Sequence, residues 1–557
     1  MTLHAGELLV ACLESHNVDR VFCLPGESYL AVLDALFEHK SIQLVTARHE
    51  GGAGFMALAD GRMSGRPGVC FVSRGPGAAN AAVAIHSAQE DATPLVLFIG
   101  DIPRADAGRR CFQEIDYSQM YGGLTKGVWN ISDTALLAET VARAFQVAQS
   151  GTPGPVVITL PEDMLVEQVE TSALPSSRPN PMIPTGPSNE QLDAALALLS
   201  KSKRPLLMAG GMLSLGRGRE ALQAFSEAHG VPVVTTYKRQ DVFSTTHENY
   251  AGYMGFGTSK VQVANYHECD LVLAIGTRLT DVTTQGRTFP SAPVPTQPLL
   301  HVYPDPGQIS WSYQTESGIV CDPALFLEAL SKRAAAQEQL AARKTWAAKL
   351  NAICKERALW KSRAPSDGVA FGDVVVELGK TLKEDAIVVT DGGNFGGWVH
   401  RYFPFKSTNT LIGVGSGSMG PGVPGGIAAA LRYPKREVVV FVGDGGFLMT
   451  GSELATAVQL NLRLRIFVAN NKSLGTIRLY QERNYPGRTV ATTLHNPDFA
   501  ALGDAFGAKG FRIESTDQVA SVVQQSLDHP GSVVVEVNTS LEEISANITL
   551  SQIRATT

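Results

Sequence analysis

Short apolar runs alternate with amphipathic stretches along the whole chain. Five of the apolar runs lie before residue 165: RVFCL (20–24), QLVTA (43–47), GVCFVS (68–73), PLVLFIG (94–100) and PVVITL (155–160). Strands that are apolar throughout are typical of parallel sheets covered by helices on both faces. The pattern therefore predicts an α/β fold built from doubly wound parallel sheets.

Breaks in this pattern divide the chain into three blocks of similar size. Residues 171–190 hold five prolines and little apolar periodicity, which predicts a linker. A charged, alanine-rich stretch over 334–365 predicts a helix that crosses between the second and third blocks. We therefore predict three α/β domains, at 1–175, 188–340 and 365–545.

Composition narrows the class of protein. The chain has 557 residues, of which 44% are hydrophobic and 18% charged, so it can build large cores and is not globally disordered. The formal net charge of −6 argues against a nucleic-acid binder. The seven cysteines are dispersed without CxxC spacing. Together with the lack of a signal-like N-terminus or a membrane-length apolar run, they predict a cytoplasmic protein.

Two polar turns in the third block lie where neighbouring strands are predicted to end. Asp444 follows the apolar run VVVFVG, and Asn470 and Asn471 follow RIFVA, with a predicted crossover helix at SELATAVQLNL between them. The carboxyl ends of parallel strands meet at one edge of a sheet, where open α/β sheets bind ligands. Carboxylate and amide oxygens suit Mg²⁺, which completes its octahedron with phosphate oxygens and water.

Glycines on both sides of Asp444 fit the same interpretation. They let a diphosphate approach the backbone and leave N–H groups free at a helix start; they are Gly443, Gly445 and Gly446. A single Asp-Gly turn is common and carries little weight alone. The combination of GDGG, a strand-helix-strand spacing and a paired asparagine is far more specific.

This combination resembles the cofactor motif of the thiamine-diphosphate enzymes. The resemblance assigns metal ligation to Asp444, Asn471 and the backbone carbonyl of Ser473. It assigns cofactor contact to the glycines of the motif and to further residues: Gly393, Asn394, Met419 and Gly475. Met419 matches the apolar side chain that wedges between the two cofactor rings; without the motif around Asp444, core packing would be the preferred interpretation of Met419.

In the same family, a glutamate from the first domain of a partner subunit activates the cofactor by exchanging a proton with its aminopyrimidine ring. Glu50, in TARHEGGAGFMALADGRMSG (46–65), matches that residue. Without the motif in the third block, Glu50 would read as an acid that stabilises the first turn of a helix. Since the two halves of a site then come from different subunits, the resemblance implies at least a homodimer and an expected homotetramer.

Two more stretches of the first block extend the resemblance. The segment FCLPGESYLAVLDAL (22–36) implies that Gly26 and Glu27 contact the cofactor and that Ser28 lines the substrate pocket. The segment RCFQEIDYSQM (110–120) implies that Gln113 faces the cofactor and that Phe112 lies beside the substrate. Arg74 and Arg110 read as solvated charges.

The resemblance covers residues 3–545 and is closest to the acetolactate synthase-like branch, whose central domain carries FAD in some members. Arg278 matches an arginine that touches FAD there, so a flavin is left open. The stretch 255–257, GFG, lacks the preceding strand and the third glycine of a dinucleotide fingerprint. Lys126 matches the lysine of the branch and is assigned to the substrate pocket.

Three positions depart from that branch. Val282 stands where an arginine grips the acceptor 2-oxo acid, Tyr480 stands where a tryptophan shapes the acceptor pocket, and Thr476 replaces a methionine. The resemblance therefore implies an enzyme that makes or breaks a carbon–carbon bond next to a carbonyl, with an altered acceptor site. The alternatives are a decarboxylase, lyase or diketone hydrolase of the same family. A flavin or nicotinamide oxidoreductase and a non-catalytic homologue are the alternatives of another class.

Overall fold

The computed structural model describes residues 2–170 and 183–556. These residues form three six-stranded sheets, each entirely parallel, with helices packed on their faces. The predicted α/β fold class with three doubly wound parallel sheets is confirmed. Residues 171–182 of the predicted linker lie outside the described residues, and the predicted domain boundaries stay predictions.

The first sheet belongs to residues 20–161, and its strand order is β3-β2-β4-β5-β7-β6. A short antiparallel pair, β1 with β8, joins the two ends of this block. The elements are β1 Thr2–His4, α1 Ala5–Ser15, β2 Arg20–Cys23, α2 Leu30–Glu38, β3 Gln43–Thr46, α3 Glu50–Ser64, β4 Gly68–Val72, α4 Pro76–Asp91, β5 Leu95–Asp101, α5 Tyr117–Tyr121, β6 Val128–Asn130, α6 Leu137–Gln149, β7 Pro155–Pro161, α7 Glu162–Leu165 and β8 Gln168–Glu170.

The second sheet has the order β11-β10-β9-β12-β13-β14. Its elements are α8 Asn189–Lys201, β9 Pro205–Ala209, α9 Gly218–His229, β10 Val233–Thr236, β11 Tyr250–Met254, α10 Lys260–Tyr266, β12 Leu271–Ile275, β13 Leu299–Tyr303, β14 Ser317–Val320, α11 Pro323–Ser331 and α12 Gln337–Ala358. The expectation that no strand precedes Gly255 is wrong, because β11 ends at Met254. The third glycine of a fingerprint is still lacking, since Thr258 and Ser259 follow Gly257.

The third sheet has the order β16-β15-β17-β18-β20-β19. Its elements are α13 Phe371–Thr381, β15 Ile387–Thr390, α14 Gly396–Tyr402, β16 Leu411–Ile412, α15 Gly422–Arg432, β17 Val438–Gly443, α16 Asp444–Thr450, α17 Leu454–Gln459, β18 Leu464–Asn470, α18 Gly475–Asn484, α19 Phe499–Ala505, β19 Lys509–Ile513, α20 Val519–Asp528, β20 Val533–Asn538 and α21 Leu550–Thr556. The crossover helix was expected to begin near Ser452, but helical structure already begins at Asp444.

Two helices of small residues join the first and third domains. α3 is buried along almost its whole length, and it packs against α15, which carries Gly425 and Gly426. Small residues allow such close approach: a Cβ at Gly425 of α15 would lie 3.8 Å from the Ala59 Cβ of α3. One hydrophobic core therefore runs through both domains and fixes the helix that Glu50 opens.

Candidate functional site

The carboxyl edge of the third sheet brings three loops together. β17 and β18 pair in register from Val438↔Leu464 to Gly443↔Ala469, so the turns after them emerge side by side. β15 lies on the other side of β17, between it and β16, where the strand order reverses. Such a reversal opens a crevice at the carboxyl ends of the strands. A cavity of about 270 Å³ lies here.

Asp444 lies at the floor of this cavity and is 3% exposed. One carboxylate oxygen accepts the Gly445 N–H at 2.8 Å, and the other accepts the Asn496 side-chain amide at 2.8 Å. Burial raises the pKa of Asp444, because no cation among the described residues pairs with its charge. A divalent cation at this position would offset that cost.

The loop after β18 supplies further oxygens beside Asp444. The Ser473 N–H donates to Asn471 Oδ1 at 3.0 Å, and the Ser473 carbonyl accepts the Gly475 N–H at 2.8 Å. A Cβ at Gly475 would lie 2.9 Å from the Asn394 amide and 3.0 Å from the Asn471 amide. The predicted ligand residues Asp444, Asn471 and Ser473 therefore line one cavity together with Asn394.

The donor set fits a magnesium ion that also binds a diphosphate. Among residues 2–170 and 183–556, no group of three or more His, Cys, Asp or Glu side chains could hold a metal. Asp444 instead stands with amide and carbonyl oxygens, which leaves coordination positions for phosphate oxygens and water. Asn496 Oδ1 is buried without a hydrogen-bond partner in the described part of the chain, so one oxygen near Asp444 remains unsatisfied.

Asp391, which the sequence analysis did not single out, organises the other wall of the cavity. Its carboxylate accepts the N–H groups of Gly392, Gly420 and Gly422 at 2.6, 2.9 and 2.8 Å. Burial raises the pKa of Asp391 to about 6. These bonds tie the turn after β15 to the segment before α15, and they hold Met419 in place. The available signal was an acid directly after an apolar strand, in VVTDGG.

Met419 and the glycines assigned to cofactor contact line the same cavity. A Cβ at Gly445 would lie 3.1 Å from Met419 and 3.0 Å from Leu474, so a side chain there would displace one of them. Gly393 has a φ of 153°, and its missing Cβ would lie 2.7 Å from Phe395. Gly443 and Gly446 also line the cavity. These glycines therefore leave space in the cavity where side chains would otherwise lie.

Glu50 lies at the corresponding edge of the first sheet. It begins α3, and His49 caps that helix by accepting the Gly51 N–H at 3.0 Å. The half-buried Glu50 carboxylate accepts the Asn80 amide at 2.9 Å. Glu453, from the third domain, accepts the N–H groups of Arg48 and His49 at 2.9 and 3.0 Å, which fixes the entry to the helix. Glu453 is a second positioning residue that the sequence analysis missed.

The other predicted residues of the first domain lie at the same edge. The buried Ser28 hydroxyl is 2.9 Å from that of Ser73, and a Cβ at Gly26 would lie 2.5 Å from Ser73. Gln113, with a φ of 64°, packs on Gly75, which has no room for a side chain. The remaining two are more open: Phe112 is 73% exposed, and Glu27 lies 3.7 Å from Arg74.

Within one chain, Glu50 is not among the described residues that line the cavity at Asp444. The residues lining the cavity at Asp444 belong to the range 371–544, and none of those described comes from the first domain. Thr476 lines the cavity, and Tyr480, 46% exposed, lies one turn further along α18. Lys126 is elsewhere: its ammonium donates to the carbonyls of Val147 and Ser150 near the end of α6.

Arg278, which matches a flavin-contacting arginine of the acetolactate synthase-like branch, forms hydrogen bonds within the protein. Arg278 donates to the carbonyls of Gln89 and Glu90 at the end of α4. The crevice beside it, at the carboxyl edge of the second sheet, has a volume of about 130 Å³. A flavin in this crevice stays a prediction.

Comparisons with known proteins agree with this geometry. Residues 3–120 match the N-terminal thiamine pyrophosphate (TPP) binding domain of thiamine pyrophosphate enzymes, residues 192–330 the central domain, and residues 391–537 the C-terminal TPP binding domain. The chain belongs to the thiamine pyrophosphate enzyme family. Among the described helices, none is both long and apolar enough to cross a membrane.

Comparisons with individual proteins indicate which branch of the family the chain resembles. The chain is 31% identical to the acetolactate synthase large subunit of Parasynechococcus marenigrum, over 96% of this chain and 88% of the relative. It is 32% identical to the acetolactate synthase of Mycobacterium leprae, over 94% and 85%. It is 31% identical to the acetolactate synthase large subunit of Lactococcus lactis, over 92% and 89%. The chain is thus a thiamine pyrophosphate enzyme that is similar to acetolactate synthases.

Proposed function

We propose that the carboxyl edge of the third sheet binds Mg²⁺ and the diphosphate of thiamine diphosphate. Asp444, Asn471 and the Ser473 carbonyl would hold the metal, and phosphate oxygens and water would complete its octahedron. The N–H groups at the start of α16 would hold phosphate oxygens, because a helix N-terminus favours negative charge. The observation that carries this proposal is the convergence of these three residues with Asn394 and Gly475 in one cavity.

The proposed reaction is the making or breaking of a carbon–carbon bond next to the carbonyl of a 2-oxo acid or a related compound. When bound, thiamine diphosphate supplies the carbon nucleophile and stabilises the negative charge left by decarboxylation or cleavage. Glu50 would exchange a proton with the aminopyrimidine ring. Ser28 and Gln113, at the same edge, would orient the reacting carbonyl and exclude water.

The active unit would be a dimer, because Glu50 does not reach the cavity of its own chain in this structure. A partner related by a twofold axis would bring its first-domain edge over that cavity, and the same contact would complete both sites. A tetramer made of two such dimers is the expected assembly.

Mixing two inactive variants tests this arrangement. Glu50→Gln and Asp444→Ala chains, refolded or co-expressed in equal amounts, should regain about a quarter of wild-type activity. Half of randomly paired dimers are mixed, and each mixed dimer contains one intact site of two. Activity of the mixture, measured against each variant alone and against wild type treated identically, checks the result. A mixture that remains as inactive as its parents would place Glu50 and Asp444 in one chain's site.

The acceptor pocket is proposed to differ from that of an acetolactate synthase. An acceptor 2-oxo acid brings a carboxylate out of water, which is costly unless a cation pairs with it. Val282, where an arginine is usual in that branch, is half-buried in the crevice beside Arg278. Arg287, the nearest replacement along the chain, is exposed, and it is not among the described residues that line either this crevice or the cavity at Asp444.

Self-condensation of pyruvate should therefore be poor. We expect kcat/KM for acetolactate formation from pyruvate alone below about 10⁴ M⁻¹s⁻¹, the low end for ordinary enzymes. The preferred acceptor should be an aldehyde, water or a proton, or the donor should be a less usual carbonyl compound. Tyr480 would give that pocket a more polar wall than tryptophan. Steady-state assays across 2-oxo acids and diketones, with product identification, measure this.

Two substitutions at position 282 test whether Val282 is the reason for poor acetolactate formation. Val282→Arg should raise acetolactate formation by at least about tenfold, since hydrogen bonds between charged partners contribute roughly 1.5–3 kcal/mol. Val282→Lys should raise it less, because an ammonium lacks the fork geometry that matches a carboxylate. If wild type already reaches the rate of an ordinary synthase, or if neither variant changes the acceptor preference, the proposed role of Val282 is wrong.

A further inference from the structure

A second cavity, separate from the cofactor edge, lies between the second and third domains. Its volume is about 430 Å³, larger than the cavity at Asp444. Its walls come from the edge strand β11, the end of α12 and four residues of α14, with Asn547 at one side. The volume lies within the range of about 300–1,000 Å³ in which proteins bind small organic molecules.

The charges around this cavity all have one sign. Three cationic side chains line it, Lys355, Arg357 and Arg401, and none of the described lining residues is an aspartate or a glutamate. Arg401 donates to the carbonyls of Arg357 and Ala546, at 2.8 and 2.9 Å, rather than to a carboxylate. Burial and the neighbouring Arg357 lower the pKa of Arg401. The cavity is therefore positive and has no counter-charge of its own.

The lining also includes several aromatic side chains and one unsatisfied polar group. Tyr250, Tyr253 and Tyr402 contribute walls, and His400 packs against Tyr253 with 6.0 Å between ring centroids. His400 is 7% exposed, and its Nδ1 has no hydrogen-bond partner within the described ranges. Burial, together with Lys238, lowers the pKa of His400 to about 3, so the ring is neutral near pH 7. A neutral histidine in an aromatic wall retains the ability to form one more hydrogen bond.

We propose that this cavity between the second and third domains binds a small organic anion. The ligand would carry a carboxylate or phosphate head, paired with Lys355 and Arg357, and an aromatic or acyl body against the tyrosines. Both parts are needed: the cationic groups select charge, and the aromatic walls gain affinity only from an apolar body. An inorganic anion would fill only the charged end. This inference does not depend on the reaction proposed above.

The location of α14 allows ligand binding in the second cavity to be detected separately from enzyme activity. α14 begins two residues after Asn394, and Trp398 in its middle lines the cofactor cavity, while Gly397 and His400 line the second cavity. The helix is therefore a shared wall. A ligand in the second cavity should slow amide hydrogen exchange over 396–403 and leave exchange at the Asp444 turn unchanged.

The first experiment uses the holoenzyme with saturating thiamine diphosphate and Mg²⁺. Phenyl phosphate and benzoate, titrated by calorimetry, should each bind once per chain, and the better of the two identifies the head group. Benzyl alcohol, which lacks the charge, and inorganic phosphate, which lacks the apolar body, should both bind at least about tenfold more weakly, because each lacks one of the two groups that the cavity would contact. Exchange at 396–403 should fall on binding.

Variants separate this site from non-specific anion binding. Lys355→Met with Arg357→Met should weaken phenyl phosphate binding at least about tenfold. Lys344→Met, exposed on the same helix and outside the cavity, should leave it unchanged. Binding to the protein without thiamine diphosphate that is lost in the holoenzyme, or slowed exchange at the Asp444 turn, would place the probe in the cofactor site and overturn the proposal. Absence of binding, or equal binding by the double variant, would overturn it as well.

Discussion

Replacing Glu50 by glutamine should leave cofactor binding intact and lower turnover by a factor of about 10²–10⁴, the contribution of one general acid–base group. The amide is nearly isosteric with the carboxylate and can still accept the hydrogen bond from Asn80. It cannot take up and return a proton. The helix that Glu50 opens should persist, because His49 caps it and Glu453 holds its entry.

Two measurements on the Glu50→Gln variant separate chemistry from binding. Exchange of the cofactor C2 proton with deuterated solvent should slow together with kcat, whereas the dissociation constant of thiamine diphosphate should stay near the wild-type value. Glu38→Gln, the same change at an exposed position of the first domain, serves as the matched control and should alter neither quantity. Wild-type turnover in the Glu50→Gln protein would remove Glu50 from the site.

Local patterns were sufficient to predict the fold class and to place Asp444 and Asn471 at one edge of a sheet, whereas their roles rest on the resemblance and stay predictions. The apolar strands β15, β17 and β18 read directly as a buried parallel sheet, because helices cover both faces and leave no alternation to misread. Asp444 and Asn471 follow two adjacent strands of that sheet, so their meeting at one edge is a consequence of parallel pairing. The spacing of the motif and the topology of the sheet therefore both place Asp444 and Asn471 at the same edge.

Residues that act across long sequence separations could not be predicted in this way. Asp391 bonds to backbone groups of Gly420 and Gly422, and Asn496 reaches Asp444 from a loop that has no motif of its own. Glu453 accepts the N–H groups of two residues that lead into a helix more than 400 residues away in sequence. A polar residue in a loop looks the same in a sequence whether it is solvated or buried against a distant segment, so its partner is visible only in the folded chain.

The buried charges between the domains could not be predicted from the sequence for the same reason. Arg62, 7% exposed, pairs with Asp91 at 2.8 Å, and Arg239 reaches the same carboxylate at 3.0 Å. Arg62 also donates to the Gly413 carbonyl, so one guanidinium contacts segments that precede and follow the middle domain. An isolated arginine in a sequence reads as a surface charge. Only its burial with one shared carboxylate shows that it fixes how the three domains meet.

Replacing Asp444 by alanine should weaken thiamine diphosphate binding by at least about 100-fold at low Mg²⁺. Loss of a residue that merely supports a metal ligand already costs about 10–100-fold in metal affinity, and Asp444 is proposed as the charged ligand itself. High concentrations of Mg²⁺ and cofactor should restore part of the activity, because Asn471, Ser473 and the N–H groups at the start of α16 remain. Titration of cofactor binding by circular dichroism at several Mg²⁺ concentrations measures both effects.

Asn496→Ala is the informative companion to this variant, because Asn496 touches Asp444 and Asn470 and is not among the proposed metal ligands. It should cost about 10–100-fold in Mg²⁺ affinity, as a positioning residue does, and leave kcat at saturating Mg²⁺ near wild type.

Because burial raises the pKa of Asp444, the bare carboxylate takes up a proton more readily than an exposed one, and Mg²⁺ must displace that proton. Mg²⁺ affinity should therefore fall on acidification in wild type and lose this dependence in Asp444→Ala. Normal cofactor binding by Asp444→Ala at low Mg²⁺ would show that the metal is held elsewhere.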